Sequence, residues 1–217
     1  MPESIARPAE AKSGFWAELD SFKSPESKSI ANLPVVGGKA PSADKLRLPN
    51  GKDTLIVFLR HCGCPFAEKT FKRLATVSER HRGIHCVAVS HSSREATERW
   101  IPQVGGAWQT EVIIDQERDV YAAWGIGLSS TWHAFNPFSL YSVYRLGADE
   151  GIWNRATESG SRWQKSGAFA VDRDGVVRWL HVSKAADDLP DFDAAIQSLG
   201  IEPRLDGGSD ESQVQKP

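Results

Sequence analysis

The sequence has little that would carry it into or across a membrane. No apolar stretch approaches the ~20 residues that a bilayer-spanning helix needs. The opening MPESIARPAEAKSG lacks the apolar core of a secretory leader. Cysteine is scarce: three residues, an odd number, do not make a disulfide framework in a chain of 217. Charge of one sign is missing too. Lys and Arg number 26 against 28 Asp and Glu, a net of −2, so no partnership with nucleic acid or an anionic membrane is expected. No internal repeat is evident. These absences point to the cytoplasm, with thiols reduced at rest, and to one domain with room for a sizeable core.

What is abundant is tryptophan, eight residues beside a single methionine. Five of them (Trp108, Trp124, Trp132, Trp153, Trp163) crowd between positions 108 and 163. Residues 1–13 and 206–217 are polar and rich in Gly, Pro and Ser, the composition of disordered tails. Within 14–29, Phe15, Trp16, Leu19 and Phe22 share one helical face, predicting a short amphipathic helix and a linker. The domain proper is expected over 30–205.

TLIVFL (54–59) is a continuous apolar run, as a strand buried on both faces requires. Pro65 suits the first position of a helix over 65–81, with Phe66, Thr70, Leu74 and Val77 on its inner face. IHCVAVSH (84–91) predicts a second buried strand. A helix follows, with Ser92 and Glu95 at capping-box spacing. TEVIID (110–115) is a third strand, and QERDVYAAWGIG a short helix closed by Gly125. Residues 128–166 follow no clean period and read as an aromatic insertion. Beyond it, GAFAVD and VVRWLHV flank RDG as a hairpin turning at Gly175, and LPDFDAAIQSLG makes a last helix. The order βαβαβα, insertion, ββα predicts an α/β fold: a central mixed sheet flanked by helices, parallel at the front.

The chemistry concentrates in LRHCGCPFAEK (59–69). With Pro65 first in the helix, Cys64 is its N-cap, where free N–H groups of Phe66 and Ala67 and the helix dipole favour a thiolate. Arg60 and His61 add positive charge nearby. The same position also suits a small buried cysteine with no chemistry. Cys62 lies roughly 6.6 Å along an extended chain, near the upper limit for a disulfide, and Gly63 can shorten the span. Such a small ring would be strained and readily reduced. Cys62 is therefore either the resolving thiol or a core residue. Cys86, inside a buried strand, reads as structural. His61, Cys62 and Cys64 match no zinc spacing, His133 and His181 read as ordinary surface or hairpin histidines, and GIGLSS lacks the lysine of a phosphate loop. No metal or cofactor is expected.

A strand ending in cysteine that opens a helix, followed by βαβ and a terminal ββα, resembles the thioredoxin fold. Within it, CPFAEK and RWQKSGAFAVDRDGVVRWLHVSKAADD resemble the peroxiredoxin-like proteins of the AhpC/TSA group. The resemblance covers residues 30–200 and implies a thioredoxin-like domain whose Cys64 reduces peroxides. Four features depart from it. Ala67 stands where a Cys-x-x-Cys partner would fall, and neither cysteine is preceded by Pro-x-x-x-Thr-x-x. SGAF carries no proline before its strand. The group's second-site arginine falls on Ser166, with Lys165 beside it and Arg162 the nearest upstream arginine.

Ligands of open α/β sheets bind beyond the carboxyl ends of the parallel strands, where both cysteines lie. The insertion can fold across that end, offering Trp132, Phe135, Trp153 and Trp163 as a substrate wall and Arg162 as a cation, or it simply packs there. The leading reading is a thiol-dependent, peroxidase-like oxidoreductase for organic hydroperoxides. Cys64 would attack, Cys62 or an external thiol reductant would resolve, and His61 and Arg162 would assist. Two other readings stand beside it. One is a thioredoxin-fold protein repurposed to bind or convert a hydrophobic small molecule without redox chemistry. The other is a homodimerising scaffold using the Phe15–Phe22 helix.

Overall fold

A computed structural model describes residues 14–26, 28–129 and 137–202. The sequence-derived tails, Trp132, His133 and Phe135 lie outside them. Among the described residues the elements are α1 (Gly14–Ser21), β1 (Asp53–Phe58), α2 (Pro65–Arg80), β2 (Ile84–Ser90), α3 (Arg94–Gln103) and β3 (Glu111–Ile114). After these come α4 (Asp119–Ala123), α5 (Pro137–Glu150), β4 (Gly167–Val171), β5 (Val177–Val182) and α6 (Phe192–Ser198).

The five strands form one mixed sheet in the order β3-β2-β1-β4-β5. β1 runs parallel to β2, with Leu55 opposite Cys86, and antiparallel to β4, with Ile56 opposite Phe169. Every residue of β1 is buried, because the strand is central and both its faces are covered. Leu55 and Val57 point into a core with Phe71 and Leu74 of α2, Trp100 of α3 and Phe192 and Ile196 of α6. Ile56 and Phe58 point the other way, onto Tyr121, Trp124 and Phe169. The period of two thus explains the unbroken apolar run, each residue belonging to one of two cores.

The strands, α2, the hairpin and α6 match the expected elements. Three details differ. The capping residue of α3 is Ser93, which accepts from the Ala96 N–H at 3.2 Å, while the Ser92 hydroxyl is drawn elsewhere. The insertion is not irregular throughout, since 137–150 forms α5. Its buried residues are Ser139, Leu146 and Gly147, while Phe138, Leu140, Tyr141 and Tyr144 are exposed, so no apolar stripe announces the helix. On α1 the buried residues are Ala17 and Ser21, whereas Trp16 is 61% and Leu19 44% exposed. Among the described side chains of that helix, the buried ones are therefore small, and Trp16 and Leu19 are not among them.

Phe58 is fully buried, its ring 5.1 Å from Tyr121, 5.7 Å from Trp124 and 5.8 Å from Phe169. Phe58→Ala is expected to cost about 3–5 kcal/mol through the cavity it leaves. Denaturant unfolding should show this as an earlier midpoint at an unchanged m value.

Candidate active site

Cys64 occupies the N-cap of α2 in extended conformation (φ −72°, ψ 126°), with Pro65 next. The expected sulfur hydrogen bond to the first-turn N–H groups is absent. The position on the helix is as expected; the side-chain cap is not. Cys62 is engaged instead. Its N–H donates to Ser92 Oγ at 3.0 Å, and its sulfur lies 3.7 Å from both Ser90 Oγ and Thr97 Oγ1. Burial pushes the Cys62 thiol up, and hydrogen bonds from Ser92, Thr97 and Ser90 offset part of that rise. All three cysteines are free and buried. Cys86, in the apolar interior of β2, is pushed up to about 12 by burial.

The Cys62–Cys64 loop is closed over by residues 155–162 of the insertion. Gly63 (φ +111°) accepts from the Arg155 N–H at 2.9 Å, and a Cβ there would stand 2.9 Å from the Ala156 carbonyl oxygen. Only glycine allows both that backbone conformation and that approach. Further along this arm, Ser159 accepts from the Ser92 hydroxyl at 3.0 Å and from the Ser93 N–H at 2.7 Å. The Ser161 N–H donates to His91 Nε2 at 3.1 Å, and the Arg162 carbonyl accepts from Arg60 at 2.9 Å. Beneath the arm, both Cys62 and Cys64 are only about 5% exposed or less.

α1 in turn holds the arm. Glu18 accepts from the Thr157 N–H at 2.7 Å and pairs with the Arg162 guanidinium, whose Nε donates to Ser21 Oγ at 2.9 Å. That guanidinium also stacks 4.6 Å above the Phe22 ring. Trp163 Nε1 donates to the Phe22 carbonyl at 2.9 Å. Trp153 lies against Gly147 of α5 and is half exposed. The structure therefore brings Cys62, Cys64, His61 and the arm together; the Arg162 guanidinium turns to α1, Phe22 and Thr157 while its carbonyl meets Arg60, the Trp163 ring meets the Phe22 carbonyl, and Trp153 lies on α5.

His61 is buried, and both its ring nitrogens lack a hydrogen-bond partner. Burial, with Arg60, Arg162 and His91 close by, holds its imidazole well below the ordinary value, so it is neutral. His91 is likewise lowered by burial, to about 4. From the opposite face of the sheet, the Tyr121 hydroxyl reaches the carbonyls of Leu59 (2.7 Å) and Val89 (2.8 Å), joining the ends of β1 and β2 just before the loop. The sequence reading did not single out Ser90, Thr97 or Tyr121. Their only signal was a hydroxyl at a strand end or on an inner helix face.

The sequence profile of the AhpC/TSA antioxidant enzymes matches residues 72–185, just over half the chain. The chain belongs to that family. The match begins within α2, so the cysteine loop stands outside it. Among solved structures, a peroxiredoxin-like protein from Aquifex aeolicus superposes with a TM-score of 0.55 at 13% identity, covering 79% of this chain and 89% of that one. A peroxidoxin from Mycobacterium tuberculosis gives 0.51 at 12% identity, covering 78% and 97%. A thiol peroxidase from Chromobacterium violaceum gives 0.50 at 18% identity, covering 79% and 90%. At these identities the likeness is one of fold, and it makes the domain thioredoxin-like. No curated protein sequence matches the chain.

Two outcomes follow from this geometry. Glu18→Gln should loosen the arm and speed iodoacetamide alkylation of the loop thiols about two- to fivefold, the equivalent of ~0.5–1 kcal/mol; an unchanged rate would mean that the arm is no barrier. Acid should also destabilise the protein. A histidine held at about 4 in the fold and near 6.5 when unfolded refuses protons that the unfolded chain accepts. Stability is therefore lost as pH falls from 6.5 towards 4, by up to about 1.4 kcal/mol per pH unit for each such group. His91→Gln, whose oxygen can still accept from Ser161, should flatten that slope in thermal melts.

Proposed function

We propose that the protein is a thiol peroxidase for organic hydroperoxides, with Cys64 as nucleophile and Cys62 as resolving thiol. The observation that carries this reading is the contrast between the surroundings of the two cysteines. Cys64 stands at the amino end of the sixteen-residue α2, where the dipole favours negative charge, while burial pushes the Cys62 thiol, two residues away, up in spite of the hydroxyl groups around it. Membership of an antioxidant family supports it.

The Cys64 thiolate would attack the terminal peroxide oxygen, breaking the O–O bond, and the alkoxide would leave as the alcohol after taking a proton from solvent. Cys64 is then a sulfenic acid. The Cys62 sulfur attacks the Cys64 sulfur, and its proton leaves with the sulfenic oxygen as water, giving a Cys62–Cys64 disulfide. An external dithiol supplies the two electrons that restore both thiols. His61, neutral and buried against the loop, would contribute shape rather than charge. The burial of both thiols favours one other reading, a binding protein with inert cysteines.

Intact mass with cysteine mapping separates the two. One equivalent of cumene hydroperoxide should produce a two-hydrogen loss assigned to Cys62–Cys64. Cys62→Ser should instead accumulate a one-oxygen adduct on Cys64, and Cys64→Ser should abolish peroxide consumption. Limiting iodoacetamide at pH 7 should label Cys64 first and Cys86 hardly at all, because Cys86 remains protonated. Peroxide turnover surviving Cys64→Ser would reverse the two roles; no oxidation of either cysteine would leave the binding protein.

A further inference from the structure

Arg60 is an arginine whose charge nothing in the described protein balances. It is 4% exposed, and its Nη2 donates to the Arg162 carbonyl at 2.9 Å. Its Nε and Nη1 have no acceptor. A guanidinium keeps its charge even when buried, and a buried charge is normally paired. Here, among the described residues, no carboxylate pairs with it, and its charge bears on the imidazoles His61 and His91. Glu18, the carboxylate on this side, is taken up by Arg162 and the Thr157 N–H.

Arg60 lines a small cavity with Phe58, Leu59, Phe66, Ala67, Thr70, Ser166 and Leu189. Phe66 and Ala67 belong to the first turn of α2, whose N–H groups have no side-chain cap. The hydroxyls on the wall offer no donor. Thr70 gives its proton to the Phe66 carbonyl. Ser183 donates to the Asp188 carbonyl, so Ser166 gives its proton to Ser183. What is left on this wall is the fixed cation of Arg60, with the first turn of α2 beside it, and the cation calls for an acceptor of negative charge. The space, about 10 Å³, admits a single water-sized group. It shares Phe66 and Leu189 with a cleft of about 260 Å³ between α2 and α5, whose other apolar lining is Leu146 and Tyr141 and whose polar lining is Lys69, Ser142, Arg145, Asp149, Glu150 and Asp187.

We propose that this cavity is a carboxylate subsite: one oxygen of an organic acid enters against Arg60, and its hydrocarbon chain lies along Phe66 and Leu189 into the α2–α5 cleft. The apolar wall distinguishes such an acid from a free inorganic anion. The charge distinguishes it from a neutral alcohol or hydrocarbon.

Octanoate is the probe, titrated calorimetrically into the full chain, with octan-1-ol and inorganic phosphate as parallel arms. Octanoate should bind saturably and raise the melting temperature, and octanol and phosphate should each bind at least about tenfold more weakly. Arg60→Met should reduce octanoate binding by at least about tenfold, while Arg60→Lys, which keeps the charge and so guards against a folding failure, should bind with an intermediate affinity. Because octanoate carries no peroxide, the result does not depend on peroxidase activity. Equal binding of octanol, equal binding of phosphate, no binding of octanoate, or undiminished binding by the folded Arg60→Met variant would each overturn the assignment.

Discussion

The thiol loop and the arm of the insertion meet backbone to backbone at Gly63, and the rest of the site depends on that contact. The Arg155 amide reaches the Gly63 carbonyl, and the chain passes too close there for any side chain. Once the arm is fixed at this point, Ser159, Ser161 and the Arg162 carbonyl fall opposite Ser92, His91 and Arg60. The Ser92 hydroxyl, His91 Nε2 and Arg60 Nη2, which would otherwise be hydrated, find protein partners instead, which offsets part of the cost of burying them. α1 adds an outer layer through Glu18 and Ser21. The site is thus three strata deep, and each is held by hydrogen bonds rather than by apolar area.

The sheet was legible because its strands state their surroundings twice over. TLIVFL is a continuous apolar run of strand length and IHCVAV is broken only by His85 near its start, and a run buried on both faces is consistent with a central position. Pro65, Gly175 and Gly200 punctuated the chain where turns and caps require them. α5 was illegible for the opposite reason. It touches the body through Leu146 and small residues and leaves its aromatic side chains outside, so its pattern has no inner stripe. α1 was legible as a helix, but not that Ala17 and Ser21 would be buried while Trp16 and Leu19 stayed exposed.

In the site, the cysteine spacing and the proline sufficed to put Cys64 at a helix terminus, but not to say where sulfur would point. Nor did they show that Ser90, Thr97 and Ser92, hydroxyls on another strand, loop and helix, would gather around Cys62. One serine shows how such details escape a local reading: Ser92 fits the capping box, but the Cys62 amide and the Ser159 carbonyl claim its hydroxyl, and the cap passes to Ser93. Arg60 was visible as a nearby cation. That no carboxylate would arrive to meet it was not, because a missing partner is a property of the folded whole.

Tyr121 sits on the face of the sheet away from the thiols, wholly buried among Phe58, Trp124 and Phe169, yet its hydroxyl binds the last carbonyls of two neighbouring parallel strands. Those carbonyls lead directly into Arg60 on one side and Ser90 on the other. A close-packed interior transmits displacement instead of absorbing it. The far core is therefore a mechanical part of the chemistry on the near side. A change of a methylene or two around Trp124 would be felt as a change in the separation of the two strand ends, with no altered residue anywhere near sulfur. Distance from the cysteines is accordingly a poor guide to which positions in this chain are free to drift.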